Sequence, residues 1–263
     1  MNNPAVLRLI SPLLLLLLSA CATTGVQNSV SPTEALEKPR QEIQESQLLN
    51  VDILLFDPGT LPDKEEQARG LSMEIREAEA RYIPMHLRGV MEKTGYWGAV
   101  RVLPERREGF ELLVAGTIMS SDGEIMVLDV EALDASGRSW FNRRYKASVN
   151  AAHHQSLTPE KESFTSVYHS IANDLAQFRR KLSDEQRTEI RRIAEMRFAA
   201  DMAPDAFSGY VQKMENGRYS LHKLPAEDDP AYQRVELVRE RDFLLVDTLN
   251  GHYENFYLDM RLP

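Results

Sequence analysis

The chain has one cysteine in 263 residues, Cys21. A single thiol cannot close an internal disulfide, so no cross-linked framework holds this fold together. The part after Cys21 also has no thiol for a cysteine nucleophile or a cysteine zinc site. Catalytic signatures are missing: there is no Gly-x-Ser-x-Gly elbow, no His-Glu-x-x-His, no P-loop and no dinucleotide-binding glycine fingerprint. The longest apolar stretch, Leu9 to Ala20, falls short of the roughly 20 residues a membrane-spanning helix needs. Positive charge is in short supply, with 31 Lys and Arg against 40 Asp and Glu and a net charge of −9. Such a chain is not drawn to nucleic acid or to anionic lipid by its net field. No repeat of 20–50 residues is visible, which excludes a solenoid.

What is present begins at the amino terminus. Arg8 precedes an unbroken leucine tract, Leu13 to Leu18, and Ser19-Ala20-Cys21 follows. Cation, apolar run and small residues in that order make a secretory signal, with the cysteine standing where cleavage falls. Leu18-Ser19-Ala20-Cys21 resembles the lipobox of bacterial lipoproteins. The resemblance implies that residues 1–20 are removed and that Cys21 is acylated as the new amino terminus, with fatty chains such as palmitate. Ala22, which is not Asp, implies by the same resemblance the Gram-negative outer membrane, with the protein facing the periplasm. Loss of Arg8 leaves 30 cations against 40 acids, a charge of −10, so the lipid does the anchoring. Residues 21–47, rich in Thr, Ser, Gln, Glu and Pro, read as the acylated terminus and a flexible tether spanning roughly 30 Å. A short helix over Thr33–Leu48 also fits the pattern.

The folded part is expected at 48–150 and 155–263. Leu48 to Phe56 reads as a buried strand that stops at Asp57-Pro58-Gly59. Leu71, Ile75, Ala78, Tyr82 and Met85 predict one face of a helix over 71–94, with Pro84 as a kink signal and Gly95 as its end. Tyr96 to Leu103 reads as a second strand. Three alternating strands follow, carrying Leu112, Val114 and Ile118, then Met126, Leu128 and Val130, then Phe141, Tyr145 and Ala147. Asp122-Gly123 and Asp134 to Gly137 turn the chain between them. The meander buries one face, and the helix is expected to cover it.

Beyond residue 155 the periodicity is helical. Thr158-Pro159 marks a helix start. Phe164, Val167, Ile171, Leu175, Phe178 and Leu182 form a stripe. Ser183 and Gln186 make a capping box, with Ile190, Ile193, Ala194 and Phe198 beyond it. Phe207 to Met214 reads as a short helix and 215–227 as a loop. Asp229-Pro230 opens a last long helix with Val235, Val238, Leu245, Leu249 and Phe256. The 164–182 stripe is expected to meet the Val235–Leu249 stripe. The fold class is therefore α+β: a small mixed sheet with one covering helix, then an all-helical carboxy-terminal region.

Within 48–150, the residues Tyr96-Trp97-Gly98-Ala99-Val100-Arg101-Val102, Val114 to Gly123 and Asp134 to Arg138 follow a strand and a long helix. This order resembles a small α/β domain of Gram-negative envelope proteins. Such domains occur in the Tol translocation β-propeller protein, the curli-secretion lipoprotein and lipoprotein activators of penicillin-binding proteins. The resemblance implies binding, assembly or pore-forming parts rather than enzymes. The long amphipathic hairpins that a pore needs are missing here.

The remaining candidates each carry a plain alternative. His153-His154 with His169 is a possible metal set, but adjacent histidines diverge on any regular element, and the alternative is a polar junction. Paired acids would suit a hydrolase, yet no spacing selects a pair. Arg179, Arg180, Lys181, Arg187, Arg191, Arg192 and Arg197 suit an acidic partner or lipid headgroups. With Glu185, Glu189 and Glu195 interleaved they equally suit a solvated helix face. Tyr96 and Trp97 suit a partner anchor or edge-strand packing. No catalytic, cofactor-binding or metal residue is assigned; the one site residue is Cys21, for lipidation. The expectation is a non-enzymatic interaction or assembly component of the envelope with a protein partner and no nucleic acid. The alternatives are a periplasmic cell-wall hydrolase and an auxiliary lipoprotein of a transporter.

Overall fold

A computed structural model describes residues 26–29, 34–61, 72–148 and 164–260. Thr158-Pro159 and His153-His154 lie outside the described residues. The elements are β1 (Val26–Ser29), β2 (Leu49–Leu54), α1 (Met73–Glu92), β3 (Trp97–Leu103), β4 (Leu112–Ser121), β5 (Ile125–Asp134), β6 (Ser139–Ser148), α2 (Thr165–Arg180), α3 (Asp184–Met202), α4 (Pro204–Phe207), β7 (Val211–Lys213), β8 (Tyr219–Leu221) and α5 (Pro230–Met260). Six strands form one mixed sheet in the order β1-β6-β5-β4-β2-β3. The meander β4-β5-β6 is antiparallel, β2 runs parallel to both β3 and β4, and β1 runs parallel to β6.

The α+β class and the mixed sheet are as the sequence predicts. The alternating residues of β4, β5 and β6 all point into one core, where Leu112, Val114, Leu128, Val130 and Tyr145 are fully buried. Gly116 interrupts the pattern because the Phe56 ring lies on its backbone; a Cβ there would sit 2.4 Å from a ring carbon.

α1 starts at Ser72, whose hydroxyl accepts from the Ile75 N–H. Its buried face is Arg76, Ala80, Ile83, Leu87, Val90 and Met91, not the predicted Ile75-Ala78-Tyr82 line, and Ile75 is half exposed. Pro84 stays inside the helix. It has no N–H to offer the carbonyl four residues back, and that carbonyl, of Ala80, accepts instead from the Phe56 N–H at 2.9 Å. The broken helical bond therefore joins the helix to the chain leaving β2.

α1 is not the only covering helix. The α2 stripe packs against β6 and α1, and Val167, Ile171 and Leu175 are completely buried. One apolar cluster runs from Leu49 through the sheet to Ile193 and Ala194, so the core continues across the expected division near residue 155. The expected meeting of the 164–182 and 235–249 stripes does not occur. The sheet and α1 take the first stripe, while α5 lies along β3 and α3. The carboxy-terminal region is not all helix either. The predicted helix over 207–214 ends at Phe207, and β7 pairs with β8 as a small antiparallel ribbon.

The expected tether is partly folded. β1 adds a strand beside β6, and residues 34–48 form a strap held along α2 and α3. Asn173 grips it twice: its Oδ1 accepts from the Glu37 N–H at 2.8 Å, and its Nδ2 donates to the Ala35 carbonyl at 2.8 Å. Arg179 donates to the Gln47 carbonyl at 2.7 Å, and Arg191 donates to the Ser46 carbonyl at 2.9 Å. Within the strap a 3-10 turn at Glu45–Gln47 satisfies the Gln44 and Glu45 carbonyls, and arginines from the helices supply partners for the Ser46 and Gln47 carbonyls.

Candidate functional site

The region that departs most from simple packing lies under α5. Residues Asn50 and Asp52 on β2 and Arg101 on β3 alternate with core residues, so they point to the sheet face away from the apolar core. Asp52 and Arg101 are register partners. Arg101 is nearly buried and makes a two-pronged pair with Asp247 of α5, at 2.8 and 2.9 Å. Its guanidinium also lies 4.1 Å above the Phe243 ring. Burial pushes the Asp52 carboxyl up to about 6, because desolvation outweighs the neighbouring Arg101 cation, and the Glu111 carboxylate adds to the rise.

Next to this row is a polar cleft of about 430 Å³ between Asn50, Glu111, Arg191, Glu195 and Arg239. Glu111 is buried and accepts from both the N–H and the Nδ2 of Asn50 at 2.9 Å. Arg191 and Arg239 stand 3.9 and 4.0 Å from its carboxylate. Burial raises the proton affinity of Glu195, with Arg239 opposing. The cleft therefore carries two carboxylates between two guanidinium groups. Asp52 does not line it.

Further along α5, Asn250 closes the edge of the sheet. Its Oδ1 accepts from the Val102 N–H at 2.7 Å, and its Nδ2 donates to the Val102 carbonyl at 3.0 Å. A side-chain amide thus takes the place of a neighbouring strand. Arg88 of α1 does the same for the Val100 carbonyl, at 2.9 Å. This edge is blocked against strand addition.

The side of α5 turned to the body carries Arg239 and Asn250 beside the buried Val235 and Val246, and the half-exposed Asp247 reaches back to Arg101. Its outer face carries the leucines. Leu244 is 67% exposed, Leu245 56% and Leu249 49%, and Leu237, Val238 and Tyr253 are comparably open. An ordinary surface helix buries its apolar stripe; α5 buries Val235 and Val246 but leaves its leucines in water beside the exposed Glu236, Glu240 and Arg241. Along one side of it run two hollows that share Arg107 as a wall. One, of about 480 Å³, includes Val238 and Met202; the other, of about 260 Å³, includes Leu249, Tyr253 and Pro104. The Arg107–Asp242 ion pair separates them, at 2.6 Å.

The residues singled out from sequence fall elsewhere. Tyr96 and Trp97 are buried, with Arg180 donating to the Tyr96 hydroxyl at 3.0 Å and Trp97 beside Trp140. They pack at the edge strand, as the plainer of the two expectations has it. In the basic cluster, Arg179, Arg187 and Arg191 hold the strap, Arg180 pairs with Glu37, and Arg197 pairs with Glu108 and donates to the Ala135 carbonyl at 2.7 Å. Those five residues have internal roles, while Lys181 and Arg192 are exposed, as on a solvated helix face. Burial, with Arg187 beside it, lowers Arg179 to about 10. His169 faces the Glu34 carbonyl through Nδ1 at 2.7 Å. Among the described residues no group of three or more His, Cys, Asp and Glu is placed to hold a metal ion, and no helix is long and apolar enough to cross a membrane.

Asn50, Asp52, Arg101, Glu111 and Asn250 were not found from sequence. A signal existed: Asn50, Asp52 and Arg101 interrupt apolar runs at every second residue, which marks a polar face on strands otherwise read as buried.

No known family model and no curated protein matches this chain. Its function is therefore argued from the residues themselves.

Proposed function

We propose that the chain is an outer-membrane lipoprotein, anchored by fatty chains on Cys21, that faces the periplasm and works by binding another envelope protein rather than by catalysis. The observation that carries this reading is helix α5, which leaves Leu237, Leu244, Leu245 and Leu249 in solvent while Asp247 and Asn250 tie it to β3. Exposed apolar surface of that kind usually marks an interaction site.

The placement of the anchor supports it. Five residue steps separate Cys21 from Val26 of β1, at most about 18 Å of extended chain. β1 and β3 are the two outer strands of the six, and α5 lies on β3. Five strand spacings put about 24 Å between them. The sheet edge next to the lipid and the edge that carries α5 are thus opposite ones, which leaves α5 free for a partner away from the anchor.

Cell fractionation and intact-protein mass spectrometry test the anchor. The wild-type chain should partition with outer membranes and carry acyl mass on Cys21, and Cys21→Ser should be found in the soluble periplasm or as an unprocessed precursor. A mature wild-type protein that retains residues 1–20 would sink the anchor.

A second reading, a cell-wall hydrolase, draws on the carboxylates Glu111 and Glu195 at the polar cleft. Purified protein that releases soluble fragments from cell-wall sacculi, and loses this with Glu195→Gln but keeps its fold, would replace the binding reading.

A further inference from the structure

We infer that Asp52, Arg101 and Asp247 form a proton-operated latch that fastens the carboxy-terminal half of α5 to the sheet. The latch governs the α5 surface on which the proposed binding role rests. Its test needs no partner, so the two claims fail separately.

Arg101 stands between two carboxyls, one on the sheet and one on the helix. It is the register partner of Asp52 across β2 and β3. Its Nε and Nη2 both go to Asp247 of α5, at 2.8 and 2.9 Å. Its Nη1 is buried and has no hydrogen-bond partner. The Phe243 ring, 4.1 Å away, covers one face of the guanidinium. The Asp52 carboxyl is nearly buried as well, and among the described residues no hydrogen bond holds it. An idle carboxyl beside an idle guanidinium nitrogen is stable while the carboxyl carries its proton. As an anion, Asp52 draws Arg101 toward itself and away from Asp247.

The other charges that face Asp52 are already engaged. Arg107, in the loop after β3, is held by Asp242 at 2.6 Å. Arg239 of α5 lies between Glu111 and Glu195, at 4.0 and 3.8 Å. Glu111, ahead of β4, opposes a charge on Asp52, and the register partner on β4 is the apolar Leu113. Arg101 is thus the cation left to answer Asp52. α5 packs over this face of β3, so lifting it lets water reach the carboxyl. Water stabilises the anion, and the docked state therefore holds the proton more tightly than the lifted one. Proton uptake fastens α5, and loss of the proton as pH rises from about 4 to 6 loosens it. The loosened half includes Asn250, so lifting also frees the Val102 N–H and carbonyl at the edge of β3.

The test places a single thiol on α5 in the full chain carrying Cys21→Ser, so that no other thiol is present. Val246→Cys puts it on the buried side of the helix and Leu244→Cys on the exposed side. A pyridyl disulfide labels both, and the ratio of the two rates at each pH reports how often α5 lifts, free of the thiol's own ionisation. The ratio should rise by about tenfold or more between pH 4 and 7, under a ceiling of about fiftyfold set by the raised proton affinity of Asp52. Asp52→Asn should hold the ratio at its low-pH value throughout. Asp247→Asn should raise the ratio at pH 4 and move the midpoint toward acid by about one pH unit, because Arg101 is then free to serve Asp52. Ala172→Cys, in the main core, should stay unlabelled at every pH. A ratio indifferent to pH, a step that survives Asp52→Asn, or a midpoint unmoved by Asp247→Asn would each overturn the latch. Labelling of Ala172→Cys in step with Val246→Cys would overturn it too, since the whole chain would then be opening.

Discussion

Helices α2 and α5 are both long and both carry an apolar stripe, but they use it in opposite ways. The α2 stripe is sealed against the sheet and α1, with Val167, Ile171 and Leu175 fully buried. The leucines of α5 point outward, and the helix is seated by Arg101–Asp247, Arg107–Asp242 and the Asn250 amide on Val102. The difference comes from what the sheet offers each helix. On its core face the sheet presents Val51, Ile53, Val114 and Leu128. On its other face, at β2 and β3, it presents Asn50, Asp52 and Arg101. An apolar stripe laid over a row of buried charges would strand them unpaired, at a cost of several kcal/mol. α5 therefore meets that row with Asp247 and Asn250 beside the buried Val235 and Val246, and leaves its leucines in water.

The largest expected effect breaks the α2 side of this contrast. Leu175→Ala removes a fully buried side chain and should cost about 2–5 kcal/mol in urea unfolding. A loss below half a kcal/mol would mean that the stripe is not core.

Asp52 tests the polar seat through pH. Its carboxyl is raised from 3.8 to about 6 in the fold, so the folded state holds this proton more tightly than the unfolded chain. Its contribution to stability is thus present below pH 4 and is lost as pH rises from about 4 to 6, up to about 3 kcal/mol. Asp52→Asn, which is neutral at every pH, should gain on the wild type by that order between pH 4 and 7. Stability curves that stay parallel across that range would show that Asp52 is not desolvated.

Next in size is Asn250→Ala. It frees both backbone groups of Val102 at the sheet edge, and thermal or urea unfolding should show a loss of about 2 kcal/mol. Hydrogen exchange at the Val102 amide should rise with it. Unchanged exchange would place the edge elsewhere.

The smallest effect sharpens the contrast from the α5 side. Leu245→Ala removes a side chain that is mostly in water, and the isolated protein should change by no more than about half a kcal/mol. A loss like that of Leu175→Ala would mean that α5 packs its leucines against the body after all.

Much of the architecture was legible in the residues. The alternation in β4 to β6 and their Asp-Gly and Asp-to-Gly turns are local patterns, and local patterns survive folding. The same holds for the Ser183–Gln186 box, which forms with both of its hydrogen bonds, and for Asp229 as the cap of α5. The candidate site was not legible in this way. Asp52, Arg101, Glu111, Asp247 and Asn250 come from four separate stretches, and no spacing in one stretch announces the others.

The sequence by itself determined the lipobox pattern at Cys21, the strands β2 to β6, the long helices and the existence of two apolar stripes, because each depends on neighbours a few residues apart. Tertiary structure alone decided which stripe is buried. It also decided that the basic run at 179–197 holds the 34–48 strap, and that Asn250 finishes the edge of β3. Those outcomes depend on hydrogen-bond and charge partners more than a hundred residues away, and only the closed fold brings them within 3 Å.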